Sequence, residues 1–232
     1  MVYIGTTHPF HHTHSILALQ AGKHVLCEKP FAMNQHEAKE MITVAREQGR
    51  FLMEAMWTRF FPAYKQAKIW IENGEIGQIT GGMGDFGFLC PRDNGRMWNP
   101  ESGGGGLLDI GIYPLSFMVD VVGQGQYPDA ISALGSLSAS QNGVDVSASV
   151  TLKYQDKLCQ FFYTLDANTP EEWTLLGTEG RIRFSGPAHT PTRVTLTRSS
   201  GRGESKDEVL NFPLPGIYIY IYKYVYVFHV CV

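Results

Sequence analysis

The chain has little charge of either sign and no clustering of it. Asp, Glu, Lys and Arg make up 18% of 232 residues, and 19 basic against 22 acidic side chains leave a formal charge of −3. With no long basic run, a nucleic-acid-binding surface is disfavoured. The four cysteines, Cys27, Cys90, Cys159 and Cys231, are scattered without Cys-x-x-Cys spacing. A disulfide framework is therefore not expected; a reduced, cytoplasmic chain with free thiols is. No run of about 20 apolar residues is present to span a bilayer. Met1-Val2-Tyr3-Ile4-Gly5 has neither the basic n-region nor the long apolar stretch of a secretory signal. His-Glu-x-x-His is absent, and His8, His11, His12 and His14 lack a nearby acidic or thiolate partner, so no metal site is expected. No Gly-x-Gly-x-x-Gly turn precedes Cys27-Glu28-Lys29-Pro30, so a phosphate-cradling turn is missing ahead of that segment.

What is there has a clear order. Val2-Tyr3-Ile4-Gly5 is a short apolar run bounded by a polar loop, as in a buried parallel strand. A helix follows across Ser15-Ile16-Leu17-Ala18-Leu19-Gln20-Ala21, with Gly22 as its stop, and Lys23-His24-Val25-Leu26-Cys27 forms a second strand. Strand, helix, strand in so few residues is a βαβ unit with a right-handed crossover, so both strands end on one sheet edge. The loop Thr6-Thr7-His8-Pro9-Phe10-His11 and the turn Glu28-Lys29-Pro30 therefore converge where open α/β sheets bind ligands. Asn34 and Glu37 form a capping box opening a helix that stops at Gly49. Phe51-Leu52-Met53-Glu54-Ala55 reads as a third strand, and Pro62 opens a helix ending near Gly74.

From about Gly77 the texture changes. Segments 80–89, 131–140, 144–154, 157–165, 173–176, 181–184 and 193–198 read as strands, several with polar and apolar residues alternating. That pattern predicts an antiparallel sheet with one wet face, interrupted by a glycine-rich helix over 106–122. An α/β piece is followed by an α+β piece. The tail, residues 216–232, alternates β-branched and aromatic side chains. We read it as translated repeat or intron sequence, since an AT run encodes Ile-Tyr and a GT run Val-Cys, and expect it not to belong to the fold; the alternative is a strand with one aromatic face. As polypeptide it is an aggregation hazard.

The chemistry lies in two separated segments. Lys29 places an ammonium at a strand end. Gly103-Gly104-Gly105-Gly106-Leu107-Leu108-Asp109-Ile110-Gly111-Ile112-Tyr113 places a carboxylate and a phenol four residues apart, on one face of a helix. A nearby cation can lower a phenol pKa from about 10 toward neutrality. Together these are the parts of a lysine-assisted tyrosine acid/base site for redox chemistry on a hydroxyl or carbonyl. Taken alone, each has a blander reading: a surface lysine before proline, and a core tyrosine. His11 reads as a polar wall of a substrate pocket. Trp57, Arg59, Phe60 and Phe61 read first as core packing, with pocket lining as the alternative beside Glu54.

These motifs, in this order, resemble the glucose-fructose oxidoreductase / inositol dehydrogenase (Gfo/Idh/MocA) family. Phe51-Leu52-Met53-Glu54-Ala55-Met56-Trp57-Thr58-Arg59-Phe60-Phe61-Pro62 is similar to the branch acting on trans-dihydrodiols or aldoses such as D-xylose, with hydride transfer to NADP. The resemblance implies residues 1–56 as the C-terminal part of a dinucleotide-binding Rossmann domain. It implies residues 57–215 as a substrate and dimerisation α+β domain, an open-faced, mostly antiparallel sheet. It further implies Tyr113 as acid/base supported by Lys29, Asp109 orienting substrate, His11 near the active site, and Trp57 and Phe86 as aromatic walls. Thr6, His8, Glu28 and Lys29 would border the nicotinamide side of the cofactor. Partners would be a small diol or sugar and a second copy of the chain, through the sheet. Family members begin with on the order of 60 further residues, about two supersecondary units that include the glycine fingerprint. The expectation is thus an incomplete Rossmann-type sheet, either in an enzyme or in an inactive fragment that at most self-associates or binds sugar.

Overall fold

The structure, a computed structural model, describes residues 1–139, 143–199 and 205–213. The low-complexity tail read from the sequence lies outside the described residues. Strands β1 (Val2–Ile4), β2 (Val25–Cys27) and β3 (Leu52–Glu54) form a parallel sheet in that order, with Ile4, Cys27 and Glu54 in register at its carboxyl edge. Helices α1 (His11–Gln20) and α2 (Gln35–Glu47) connect them. Ile4, Leu19, Val25, Cys27, Met41 and Ala45 form the core of this layer. The N-cap half of the expected capping box is present, Asn34 Oδ1 accepting from the Glu37 amide at 3.0 Å; the Glu37 carboxylate instead accepts from the Asn34 side-chain amide at 2.9 Å and from the Met33 main-chain amide at 3.0 Å.

After α3 (Pro62–Glu72) comes β4 (Ile79–Gly87), then α4 (Ile112–Val121) and seven further strands. These are β5 (Ala130–Leu137), β6 (Asp145–Tyr154), β7 (Lys157–Thr164), β8 (Trp173–Gly177), β9 (Gly180–Phe184), β10 (Arg193–Ser199) and β11 (Ser205–Asn211). The sheet runs β11-β10-β9-β8-β4-β7-β6-β5, antiparallel throughout except for the β4–β7 pair. One face packs on α3 and α4, where Phe117 stacks on Trp173 at 5.1 Å and Phe184 closes on both. On the other face Met83, Leu158 and Phe162 are exposed. The architecture read from the sequence, a small parallel sheet followed by a larger open one, is the one observed.

Two local differences matter. Gly82-Met83-Gly84-Asp85-Phe86-Gly87 has the letters of a dinucleotide fingerprint, yet it lies inside β4. A Cβ at Gly82 would meet Met118 Sδ at 2.8 Å, and one at Gly84 would meet Trp173 Cδ1 at 2.7 Å. Those glycines therefore admit the packed face rather than a phosphate. The helix predicted as continuous over 106–122 instead starts with a π-helical turn, Leu107–Gly111, and becomes α-helical at Ile112. Such turns are frequent at functional sites.

Candidate active site

The carboxyl ends of β1 and β2 deliver the loop after Ile4 and the Glu28-Lys29-Pro30 turn to one edge. There they border an open cleft of about 730 Å³, lined among others by Thr6, His8, Glu28, Lys29, Arg96 and Asp109. The second sheet brings the π turn down on this edge. Its start is fixed by Asp145 of β6, whose Oδ2 accepts from the Leu107 amide at 2.6 Å and from the Tyr163 hydroxyl at 2.8 Å. Gly103, at φ +69°, closes over His8: a Cβ there would lie 2.7 Å from His8 Cβ.

Asp109 is the hub. Its Oδ1 accepts from Arg96 at 2.9 Å and faces Lys29 Nζ at 3.7 Å and His8 Nε2 at 3.8 Å. Lys29 Nζ also donates to the Asp109 main-chain carbonyl at 2.7 Å. His8 Nδ1 lies 2.9 Å from the Gly103 carbonyl, which assigns the proton to that nitrogen. Glu28 accepts from the Tyr3 hydroxyl and, at 3.2 Å, from the Lys29 amide.

Behind Lys29 stands an aromatic box around Tyr113. The Tyr113 hydroxyl accepts from Trp57 Nε1 at 2.8 Å, and Phe86 and His189 approach its ring at 5.6 and 5.4 Å. Lys29 Nζ sits over the ring, 5.0 Å from its centroid. The structure thus brings Lys29, Asp109, Tyr113, Trp57 and Phe86 together, with Thr6, His8 and Glu28 on the adjoining cleft wall.

His11 is elsewhere. It was expected to line a substrate pocket, but it is fully buried, with Nδ1 2.7 Å from the Pro30 carbonyl and Nε2 2.9 Å from the Thr6 carbonyl. It straps the two cleft loops to each other from below, because its place at the first turn of α1 points it under the sheet edge. Arg96 and His189 were not singled out from the sequence. Each lies in a loop with no local motif, so only tertiary placement reveals it.

The electrostatics also correct one expectation. Burial lowers the Lys29 pKa, opposed by the Asp109 and Glu28 carboxylates. Burial works to raise Asp109, but Lys29, Arg96 and His8 more than offset it and the carboxyl titrates below its usual range. Tyr113, expected to be lowered by Lys29, is raised instead. Burial dominates, the Trp57 hydrogen bond opposes it, and the Glu28 and Asp109 charges add to the rise. The ammonium meets the ring face rather than the oxygen, and Asp109 largely neutralises it. Tyr113 therefore rests as a phenol.

A nicotinamide cofactor fits this site in part. The cleft has ligand-pocket size, and Thr6, His8, Glu28 and Lys29 place main-chain and charged groups around one end of it. Among the described residues no glycine turn joins a strand to a helix N-terminus in the manner that seats a pyrophosphate. The described cleft supplies main-chain and charged groups for part of such a cofactor and no seat for its pyrophosphate.

A small parallel sheet with a lysine at its ligand edge, packed on an open sheet that delivers a carboxylate and a phenol, is the arrangement of a Rossmann-type domain joined to an α+β domain. The chain belongs to the GFO/IDH/MocA family: residues 1–56 match its NAD-binding Rossmann fold and residues 64–183 its C-terminal domain. It is 38% identical over 216 residues to trans-1,2-dihydrobenzene-1,2-diol dehydrogenase of Bos taurus, covering 93% of this chain and 61% of that protein. The enzyme of the same name from Mus musculus is 41% identical over 217 residues, with the same two coverages of 93% and 61%. The chain thus spans about three fifths of the length of these relatives. Among solved structures, aldose-aldose oxidoreductase from Caulobacter crescentus complexed with glycerol superposes with a TM-score of 0.80 at 25% identity, over 93% of this chain and 64% of that one. The 3-ketoreductase KijD10 from Actinomadura kijaniata, in complex with NADP, gives a TM-score of 0.82 at 24% identity, over 98% and 68%; this likeness speaks to the fold.

Proposed function

We propose that the site oxidises a hydroxyl on a small ring, a trans-dihydrodiol or an aldose such as D-xylose, with NADP as hydride acceptor. The observation that carries this is the convergence of Lys29, Asp109 and Tyr113 at the sheet edge, with Trp57 bonded to the Tyr113 oxygen. Bound nicotinamide would accept a hydride from the substrate carbon. Thr6, His8, Glu28 and Lys29 would hold its ribose end. The protein's own work is positional and protonic. Asp109, fixed by Arg96, orients the substrate hydroxyl. In reduction Tyr113, resting as a phenol, gives its proton to the carbonyl oxygen; oxidation starts from the phenolate left once that proton has gone to solvent, and the phenolate then takes the substrate hydroxyl proton. Trp57 donates to the oxygen that becomes phenolate, and Lys29 supplies the compensating charge over the ring. Trp57 and Phe86 close the aromatic wall.

A second copy of the chain is the proposed partner, through the open sheet face where Met83, Leu158 and Phe162 are exposed. No described helix is long and apolar enough to cross a membrane. The buried free thiols of Cys27, Cys90 and Cys159 support a cytoplasmic setting. A second reading is a non-catalytic, self-associating or sugar-binding chain. What favours it is β1, which among the described residues pairs only with β2 and lies at the edge of the small sheet, with Tyr3 exposed. Titration of NADPH fluorescence separates the two. Micromolar binding is expected for the enzyme; no binding, with dimers in light scattering, would establish the second reading instead.

A further inference from the structure

We propose that Pro114 is a positioning residue for Lys29: by withholding a main-chain N–H, it leaves the Asp109 carbonyl turned out of its helix as the fixed acceptor of the Lys29 ammonium. The inference rests on the reading that Lys29 serves Tyr113, and adds what holds the ammonium in place. Proline is disfavoured inside a helix, because it removes a ladder bond and its ring crowds the turn before it. Pro114 nevertheless stands, buried, inside the continuous helical run formed by the π turn Leu107–Gly111 and α4.

The run changes hydrogen-bond register just ahead of it. In the π turn the Ile112 amide donates five residues back, to the Leu107 carbonyl, and from Ile112 the helix is α. Residue 114 is the donor that the α register would send to the Ile110 carbonyl and the π register to the Asp109 carbonyl. Proline has no N–H to send, so these two carbonyls are one helical donor short between them. Lys29 fills the gap: Nζ donates to the Asp109 carbonyl at 2.7 Å, nearer than the Asp109 carboxylate at 3.7 Å. An amide at 114 would complete the ladder and draw the carbonyls back toward the helix axis, away from Lys29.

The register is itself built in. Asp145 Oδ2 accepts from the Leu107 amide at 2.6 Å and pins the start of the turn. The Tyr163 ring lies along it: a Cβ at Gly106 would fall 2.7 Å from that ring, and one at Gly111 2.8 Å. The consequence is chemical. A carbonyl, unlike a second carboxylate, holds an ammonium without cancelling its charge. Lys29 Nζ is thereby kept 5.0 Å from the Tyr113 ring centroid, a positive charge beside the phenol that becomes phenolate.

The test uses the full chain with two replacements at this position. Pro114→Ala supplies an N–H; L-lactic acid carries the same side chain on an ester that has none. The readout is the titration of Lys29 followed by ¹³C NMR at Cε, which a merely structural proline would not move. Pro114→Ala is expected to lower the Lys29 midpoint by about one pH unit, the worth of a hydrogen bond to a charged group. The lactic acid version should keep the midpoint of the unaltered chain. In the unaltered chain the Asp109 carbonyl carbon should shift as Lys29 loses its proton, a readout that stands even if both replacements fold poorly. Equal midpoints in all three chains, an equal fall in both replacements, or an Asp109 carbonyl that ignores the titration would overturn the inference. None of these readouts needs turnover. A chain that shows them all and oxidises no xylose would keep the role of Pro114 toward Lys29 and count against the redox reading alone.

Discussion

Replacing Asp109 with Asn tests the electrostatic heart of the site. The side chain is 14% exposed and its Oδ1 faces Arg96 at 2.9 Å, Lys29 at 3.7 Å and His8 at 3.8 Å. At an effective dielectric of about 20, the Lys29 attraction alone is about 4 kcal/mol before desolvation. Asn keeps the shape and a bond to Arg96, whose side chain is 38% exposed and therefore solvent-screened. Lys29 keeps the Asp109 carbonyl but loses its nearest carboxylate. Removing one partner of a buried pair costs about 3–5 kcal/mol; with the retained bonds, Asp109→Asn should cost about 2–3 kcal/mol. Urea unfolding measures this, and ¹³C NMR of Lys29 Cε should show its titration falling further below the ordinary lysine range. The acid side carries the same signature. Asp109 is depressed in the folded chain, so its contribution is present above the unfolded carboxyl pKa of about 3.9 and is lost as pH falls below it. Asn should flatten that slope. A loss under about 0.5 kcal/mol with an unchanged Lys29 titration would refute the reasoning.

Three further outcomes follow from the same geometry. Trp57→Phe removes the donor to the Tyr113 hydroxyl and should cost about 1 kcal/mol in thermal or urea unfolding; no change would mean that the bond is not formed in solution. Gly105→Ala puts a Cβ 2.1 Å from Asp145 Oδ1 at a φ of +113°, and should lower stability by about 3 kcal/mol or more in thermal melts. His189 is depressed to about 4 in the folded chain against an ordinary 6.5, so its stability contribution is full above 6.5 and lost as pH falls through 4. Glu171 offsets part of this, and His189→Phe should remove roughly 2 kcal/mol of the acid loss measured by unfolding at pH 7 and pH 4.

Much of this was legible because it is local. Val2 to Ile4 and Val25 to Cys27 are short apolar runs bounded by polar loops, and Asn34 with Glu37 announces a cap; each acts within a few residues. The alternation in Lys157–Thr164 predicted one wet face, and Leu158 and Phe162 lie on the open side while Cys159 and Phe161 are buried. Strand β11 escaped notice because it is an edge strand of Ser-Lys-Asp-Glu-Val-Leu-Asn, with no residue fully buried to mark an inner face. Lys29, Asp109 and Tyr113 could be paired because Lys29 sits in one motif and Asp109 with Tyr113 in another. Arg96 and His189 could not, since loop residues gain their meaning only from what the sheet brings beside them. His11 misled for a related reason: its spacing fixed the loop it belongs to but not which side of the sheet edge its ring would take. The phenol's pKa misled because an expected neighbouring cation says nothing of burial, which here wins.

The most direct measurement is turnover of D-xylose with NADP by the chain and by its Tyr113→Phe variant. The account predicts a fall in kcat of two to four powers of ten, with the variant still folded and still binding sugar. Near-normal turnover in Tyr113→Phe would contradict it.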